Sequence, residues 1–168
     1  MKTHHSAIVV IISLVLSTAV LLAQDSAKLV NNWVFGRATL TDRAEYVAYT
    51  QRLLITEARK RGMPPAQIEM IIRQVEAQIT EQSINRPLQG SRMNFKDDHS
   101  VSVFVTLPTG EVRAAATWTL KGNELTIISK GVGPGASDST QAFELVSVSK
   151  SQLVLKGHGL TQTYISND

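Results

Sequence analysis

The sequence predicts a mainly β protein: an antiparallel, eight-stranded up-and-down barrel with an αα-hairpin inserted after the first strand. Three observations lead there. Apolar residues recur at every second position over residues 29–40 and through most of 90–166, the period of a strand with one buried face. Residues 42–84 switch to apolar spacings of three and four, the period of a helix face. The links between the late strands are mostly two to five residues long. That suits hairpins and leaves no room for the crossovers of about a dozen residues that parallel pairing needs.

Residues 1–23 have the features of an export signal. Lys2 supplies a positive start, and Ile8 to Ala23 is an apolar run of 16 residues without a charge. A signal-peptide core needs about 7–15 apolar residues and a spanning helix roughly 20. Thr18, Ala19 and Ala23 are small, which places cleavage after Ala23 and the mature chain in a secreted or periplasmic location. An uncleaved membrane anchor is the alternative. No later stretch is apolar and long enough to span a bilayer as a helix, so no stable membrane span is expected after cleavage.

The mature chain, residues 24–168, is expected to form one domain. Apolar residues are 43% and charged residues 18% of the 168-residue chain, a globular composition of single-domain size. There is no cysteine, which excludes disulfide scaffolds, thiolate zinc sites, cysteine nucleophiles and lipidation at an N-terminal cysteine. Aromatic residues are only 5%, too few for a stacking platform, and no nucleic-acid partner is expected. The densest basic run, Arg59-Lys60-Arg61, precedes Gly62, where the end of a helix favours cations.

Within the insertion, Asp42 and Glu45 match a capping box. The first helix runs through Ala44, Val47, Ala48, Leu54, Ile55 and Ala58 to Gly62. Pro64 and Pro65 open the second, since proline's missing N–H costs nothing in a first turn. Ile68, Ile71, Ile72, Val75 and Ile79 give it an apolar stripe, and Asn85 and Pro87 end it. Full burial of that stripe would contribute about 5–10 kcal/mol before entropy, at roughly 1.5–3 kcal/mol per apolar side chain. The hairpin is therefore expected to pack across one end or one flank of the barrel, as a lid or as a partner surface.

Among the later strands, Met93 and Phe95 share a face, as do Val101, Val103, Val105 and Leu107. Val112, Ala114, Ala116, Trp118 and Leu120 form the clearest alternation in the chain, followed by Leu125 and Ile127. Pro108-Thr109-Gly110 and Lys121-Gly122-Asn123 are turns, Gly131 to Asp138 is a loop, and Gly157-His158-Gly159 allows a last tight turn. One strand before the helices and about seven after them close most simply into a barrel, because closure removes both exposed edges. A two-sheet sandwich shares the same alternation.

With the strands placed, four segments resemble a known family. Asn31-Asn32-Trp33 resembles the Gly-x-Trp opening strand of lipocalins and related calycins. Met93 to Ser100 is similar to the Phe-x-x-Asp-Gly-Thr hairpin of small bacterial lipocalin-like domains, with His99 and Ser100 in place of the glycine and threonine. Ala116 to Ile127 is similar to their Gly-Thr-Trp-x-Leu, turn, x-Leu-Thr-Ile segment. Phe143 to Leu155 is similar to their late hairpin. The resemblance covers residues 29–40 and 90–166 and implies an exported barrel, not an enzyme, that binds a small apolar or amphipathic molecule.

The expected ligand-facing residues of the barrel interior are Trp33, Phe35, Phe95, Val103, Val105, Ala114, Ala116 and Trp118. Ala114 and Ala116 are the most suggestive, since small inward side chains either taper a barrel or leave a cavity. No catalytic or metal-binding residues are expected. His99 and His158 have no third ligand at metal spacing, there is no Gly-x-Ser-x-Gly elbow, and adjacent Asp97 and Asp98 point apart. No cofactor motif is present, because the Gly131–Gly135 segment lacks the Lys-Ser/Thr of a phosphate loop. The competing function is a protein-binding or inhibitory envelope module that uses the hairpin and loops around a side-chain-filled barrel.

Overall fold

The computed structural model describes residues 26–107, 110–130 and 138–167. The leader expected over residues 1–23, the turn at Pro108-Thr109 and the loop at 131–137 lie outside the described residues. The elements are β1 (Asn31–Leu40), α1 (Arg43–Lys60), α2 (Pro65–Ala77), α3 (Glu81–Asn85), a 3-10 turn (Arg86–Leu88), β2 (Arg92–Phe95), β3 (Ser100–Leu107), β4 (Gly110–Lys121), β5 (Glu124–Ser129), β6 (Ser139–Val148), β7 (Gln152–Gly157) and β8 (Leu160–Ser166). The strands pair antiparallel in sequence order and β1 pairs β8, which closes the barrel. The sandwich alternative is thereby excluded.

Two bulges keep the apolar face turned inward. In β1 the register shifts between Phe35 and Arg37, so Trp33 and Phe35 are followed inward by Ala38. Gly36 occupies the bulge, where a Cβ would lie 3.1 Å from the Thr163 carbonyl oxygen. In β6 the register shifts between Leu145 and Ser147, which leaves Val146 53% exposed while Leu145 is buried. Each extra residue bends its strand locally, and that coiling helps a small barrel to close.

The insertion departs from the expected pair of helices. The Asp42 carboxylate accepts the Glu45 N–H at 2.9 Å, and the Met63 N–H returns to the Ala58 carbonyl at 3.0 Å across left-handed Gly62. Those bonds end α1 as its cap residues imply. Of the expected α1 face, Val47, Leu54, Ile55 and Ala58 are buried or half-buried, but Ala44 and Ala48 are exposed, and Tyr46 and Tyr49 turn toward the barrel. The second helix ends at Ala77, well short of Asn85. Its last carbonyls are satisfied by α1, because the Arg43 guanidinium donates to Ile79 O at 2.9 Å and Glu76 O at 3.1 Å. A reciprocal capping box between Thr80 and Ser83 then starts α3. The apolar stripe is divided by this break. Ile68 and Ile71 line a groove against Leu54 and Ala58 of α1, and Ile79 joins Ile84 in the barrel core.

β2 is only four residues long and pairs β1 at Asn31 to Val34. Further along β1 the missing strand is replaced piecemeal. The Phe35 N–H donates to Ser91 O at 2.8 Å. The Asn85 side chain accepts from Ala38 N–H at 2.7 Å and donates to Ala38 O at 2.8 Å. One amide side chain thus stands in for a rung of the ladder.

Two substitutions test these backbone constraints. Asn85→Ala leaves both polar groups of buried Ala38 without that partner and should cost about 2–4 kcal/mol in urea unfolding, at roughly 1–3 kcal/mol per unmet buried group. Gly159→Ala and Gly122→Ala compare two left-handed glycines, with φ of 76° and 63°. A Cβ at Gly159 would fall 2.2 Å from Asp42 O, whereas at Gly122 nothing lies within 4 Å. Gly122→Ala should cost about 1–2 kcal/mol through conformation alone, and Gly159→Ala clearly more.

Candidate functional site

The barrel has a filled end and an open one. At the filled end Trp33 is fully buried and its indole N–H donates to Leu29 O at 2.9 Å. The Trp118 indole donates to Lys96 O at 3.1 Å, and its ring meets Phe95 edge-on at 5.7 Å. His99 leans on Trp118 at 4.8 Å from a left-handed position, φ 61°. The glycine it replaces in the resembled hairpin suits that conformation. Below it, Asp98 accepts the Ser100 N–H at 2.8 Å, and bonding to Ser100 holds its carboxyl below the ordinary value. With both indoles satisfied by backbone, this end is packed.

At the other end lies a cavity of about 390 Å³. Its walls are the inward residues of the strands, among them Met93, Val103, Ala114, Ile127, Phe143 and Leu155, and Tyr46 and Tyr49 of α1 roof it. Ile84, Pro87 and Leu88 close the side where β2 is short. Of the hairpin, only α1 borders the mouth, through Tyr46 and Tyr49; α2 packs against α1 and lines none of the cavity.

Of the eight residues expected to face a ligand, Val103, Val105 and Ala114 line this cavity. Trp33, Phe35, Phe95, Ala116 and Trp118 do not; they are buried in the packed core. The division between cavity and core has a simple cause. An eight-stranded barrel is only just wide enough for its own side chains, and large aromatic rings fill whichever end they occupy. Val112 is 50% exposed although it shares a strand face with Trp118, since it sits beyond the mouth near the start of β4.

The polar lining is the part that alternation did not reveal. His158, Tyr46, Tyr49, Ser91, Gln162 and Tyr164 all border the cavity. The His158 ring stacks on Tyr49 at 4.0 Å and meets Phe143 edge-on at 5.4 Å. The Tyr164 hydroxyl donates to Gln162 Oε1 at 2.7 Å, and burial raises its pKa. Burial likewise raises that of Tyr49, with Tyr46 adding to the effect and Arg52 opposing it. Among the described lining residues the charged side chain is Arg92. It is already engaged, 2.9 Å from Glu111 and 4.5 Å over the Phe104 ring. A pattern of inward polar positions at 158, 162 and 164 in an otherwise apolar face was the available signal. Among the described residues no group of three potential ligands could hold a metal ion, and no helix is long and apolar enough to cross a membrane.

The model of the Lipocalin-like family matches residues 111–167, from β4 to the end of β8. That stretch, the second half of the barrel, is similar to the lipocalin-like family. It is similar to a lipocalin-like protein from Bacteroides uniformis ATCC 8492, with 21% identity over 45% of this chain and 77% of that one, at a TM-score of 0.39. It is also similar to an uncharacterized protein from Bacteroides eggerthii DSM 20697, with 9% identity over 82% of this chain and 98% of that one, at a TM-score of 0.47. No curated protein matches the chain. The lipocalin-like segment supplies one wall of the cavity, from Ala114 through Tyr164, while the roof comes from the insertion outside the matched residues.

His158 gives this roof a pH dependence. Burial lowers its pKa from the ordinary 6.5, with Arg52 adding to the effect and Glu45 opposing it. On acidification the unfolded chain takes up its proton first, so stability falls as pH drops below about 6.5 and levels off below the folded-state value. Thermal melts from about pH 7.5 to about pH 5 should show this loss, and His158→Asn, which tolerates the left-handed backbone, should show less of it.

Proposed function

We propose that this chain is an exported lipocalin-like protein that binds a small apolar or amphipathic molecule non-covalently in its barrel. The observation that carries the reading is the apolar cavity of about 390 Å³ at the mouth of a barrel whose far end is filled. Its size falls in the range of small-molecule sites, which are concave, mostly apolar and furnished with a few polar groups. Export rests on the uncharged apolar run from Ile8 to Ala23 after Lys2. Binding rather than catalysis is the proposed role, and it is supported by a lining, among the described residues, that is mainly apolar with one histidine among aromatic neighbours.

A second reading, docking of a protein on the hairpin, is favoured by two exposed apolar side chains there, Leu53 at 50% and Met70 at 62%. The cavity outweighs it because scattered exposed apolar residues are ordinary on any surface.

The two readings separate on one variant. Ala114→Phe places a ring into the cavity from an exposed wall position. It should weaken binding of phenylnaphthylamine, an uncharged fluorescent probe, by about tenfold or more, equivalent to about 1.4 kcal/mol, with little change in melting temperature. Unchanged probe affinity would remove the cavity from consideration, and Leu53→Ser with Met70→Ser should leave probe binding intact.

A further inference from the structure

The inward face of β8 carries an amide between an apolar and an aromatic side chain. Leu160, Gln162 and Tyr164 alternate along it; Leu160 and Tyr164 are buried and Gln162 is half-buried. Gln162 pairs across the strands with Ala38 of β1 and Leu155 of β7, both buried and apolar. Neither neighbour has a polar side-chain group to offer the amide. Tyr164 lies one inward position deeper, its ring edge-on to Phe35 at 5.8 Å. Its hydroxyl donates to Gln162 Oε1 at 2.7 Å. Both residues line the cavity.

The Tyr164 bond decides which end of the amide is left over. Burial raises the pKa of Tyr164, so the phenol keeps its proton and must place it on an acceptor. Of the two ends of a glutamine amide only the oxygen accepts. With Oε1 engaged, Nε2 has no hydrogen-bond partner among the described residues. It is not sealed inside the packing, as Ser91 Oγ and His158 Nε2 are. An accessible atom on an inward side chain that lines the cavity opens on the cavity. An N–H donor thus stands in a mainly apolar wall, and a molecule that covered it without accepting from it would lose roughly 1–3 kcal/mol. The cavity offers an anion little else. The Arg92 guanidinium is 2.9 Å from Glu111 and lies over the Phe104 ring, so a carboxylate would enter without a free counter-ion.

Resting on the binding role proposed above, we infer that Gln162 is the specificity-determining residue of the cavity: its amide N–H donates to the carbonyl or ether oxygen of an uncharged amphipathic ligand whose apolar body lies against Val103, Ala114 and Ile127. The cavity selects its ligand by an acceptor. A ketone, ester or ether oxygen satisfies the amide, a hydrocarbon leaves it bare, and a carboxylate satisfies it only by burying a charge. Tyr164 is a positioning residue, since it acts by holding the amide oxygen and so presenting the nitrogen.

Three probes of one shape test the inference: 2-acetylnaphthalene, 2-isopropylnaphthalene and 2-naphthoate, titrated into the purified protein. Gln162→Met combined with Tyr164→Phe removes the donor together with the hydroxyl that would otherwise lose its acceptor. The ratio of acetyl to isopropyl affinity should fall about five- to tenfold in this double variant. Naphthoate should bind the unaltered protein about tenfold or more weakly than acetylnaphthalene. A third reading needs no variant: the infrared carbonyl stretch of bound acetylnaphthalene should lie below its value in cyclohexane, as a hydrogen-bonded carbonyl does. A ratio unchanged by the double substitution, naphthoate binding as tightly as the ketone, or a bound carbonyl stretch at the cyclohexane value would overturn the assignment of Gln162 while leaving the cavity a binding site. Absence of saturable binding by all three probes would instead overturn the binding role itself.

Discussion

The carbonyl oxygen of Gly159 organises the mouth of this barrel. It accepts the N–H groups of Thr41 and Asp42, at 2.9 and 3.0 Å, and the Thr41 hydroxyl at 3.1 Å. The approach is so close that a Cβ on residue 159 would overlap the Asp42 carbonyl and the Tyr46 backbone nitrogen. A glycine in the left-handed region is the residue that permits both the turn and the contact. From this seat α1 leaves β1 across the open end of the barrel. Tyr46 and Tyr49 then follow on the face that looks down into it, and Tyr49 lands on the ring of His158, the neighbour of the same glycine. Roof, turn and cavity lining are thus placed by one contact between the insertion and the last hairpin.

The two ends of the barrel are built on opposite principles. At the far end the interior is filled by Trp33, Phe95 and Trp118, and the polar edges of the indoles are absorbed by nearby backbone carbonyls. At the mouth the inward residues are shorter, Val103 and Ala114 facing each other across the β3–β4 pair, and they leave space. The shortness of β2 extends this asymmetry. Where a longer strand would have continued the wall, Asn85 and the Ser91 carbonyl satisfy β1, and Ile84, Pro87 and Leu88 form the wall. The cavity is therefore a joint product of barrel and insertion.

Residue type and spacing were sufficient for an antiparallel meander with one apolar face, while the pairing of β1 with β8 decided barrel over sandwich. Period-two alternation sets the inward face, short links force antiparallel neighbours, and a meander with one apolar face closes to remove its edges. Helix boundaries marked by Asp42, Gly62 and Pro65 were equally readable, because capping and the loss of the proline N–H act within a few residues. The premature end of α2 was not, since it depends on Arg43 reaching across from another helix to the carbonyls of Glu76 and Ile79.

For the site, alternation could say that Val103, Val105, Ala114 and the two tryptophans point inward, but not at what height the interior is filled. That is a question of volume summed over eight strands, and only the closed barrel assigns Trp33 and Trp118 to the packed end and Ala114 to the cavity. The same holds for Ser91 and His158. A serine before a short strand and a histidine in a tight turn carry no mark of a cavity wall in one dimension, because lining a cavity is a property of the space around a residue. The sequence determined which faces are greasy and where the chain turns, through forces that act between near neighbours. The tertiary fold alone decided where the empty space lies and which polar residues border it.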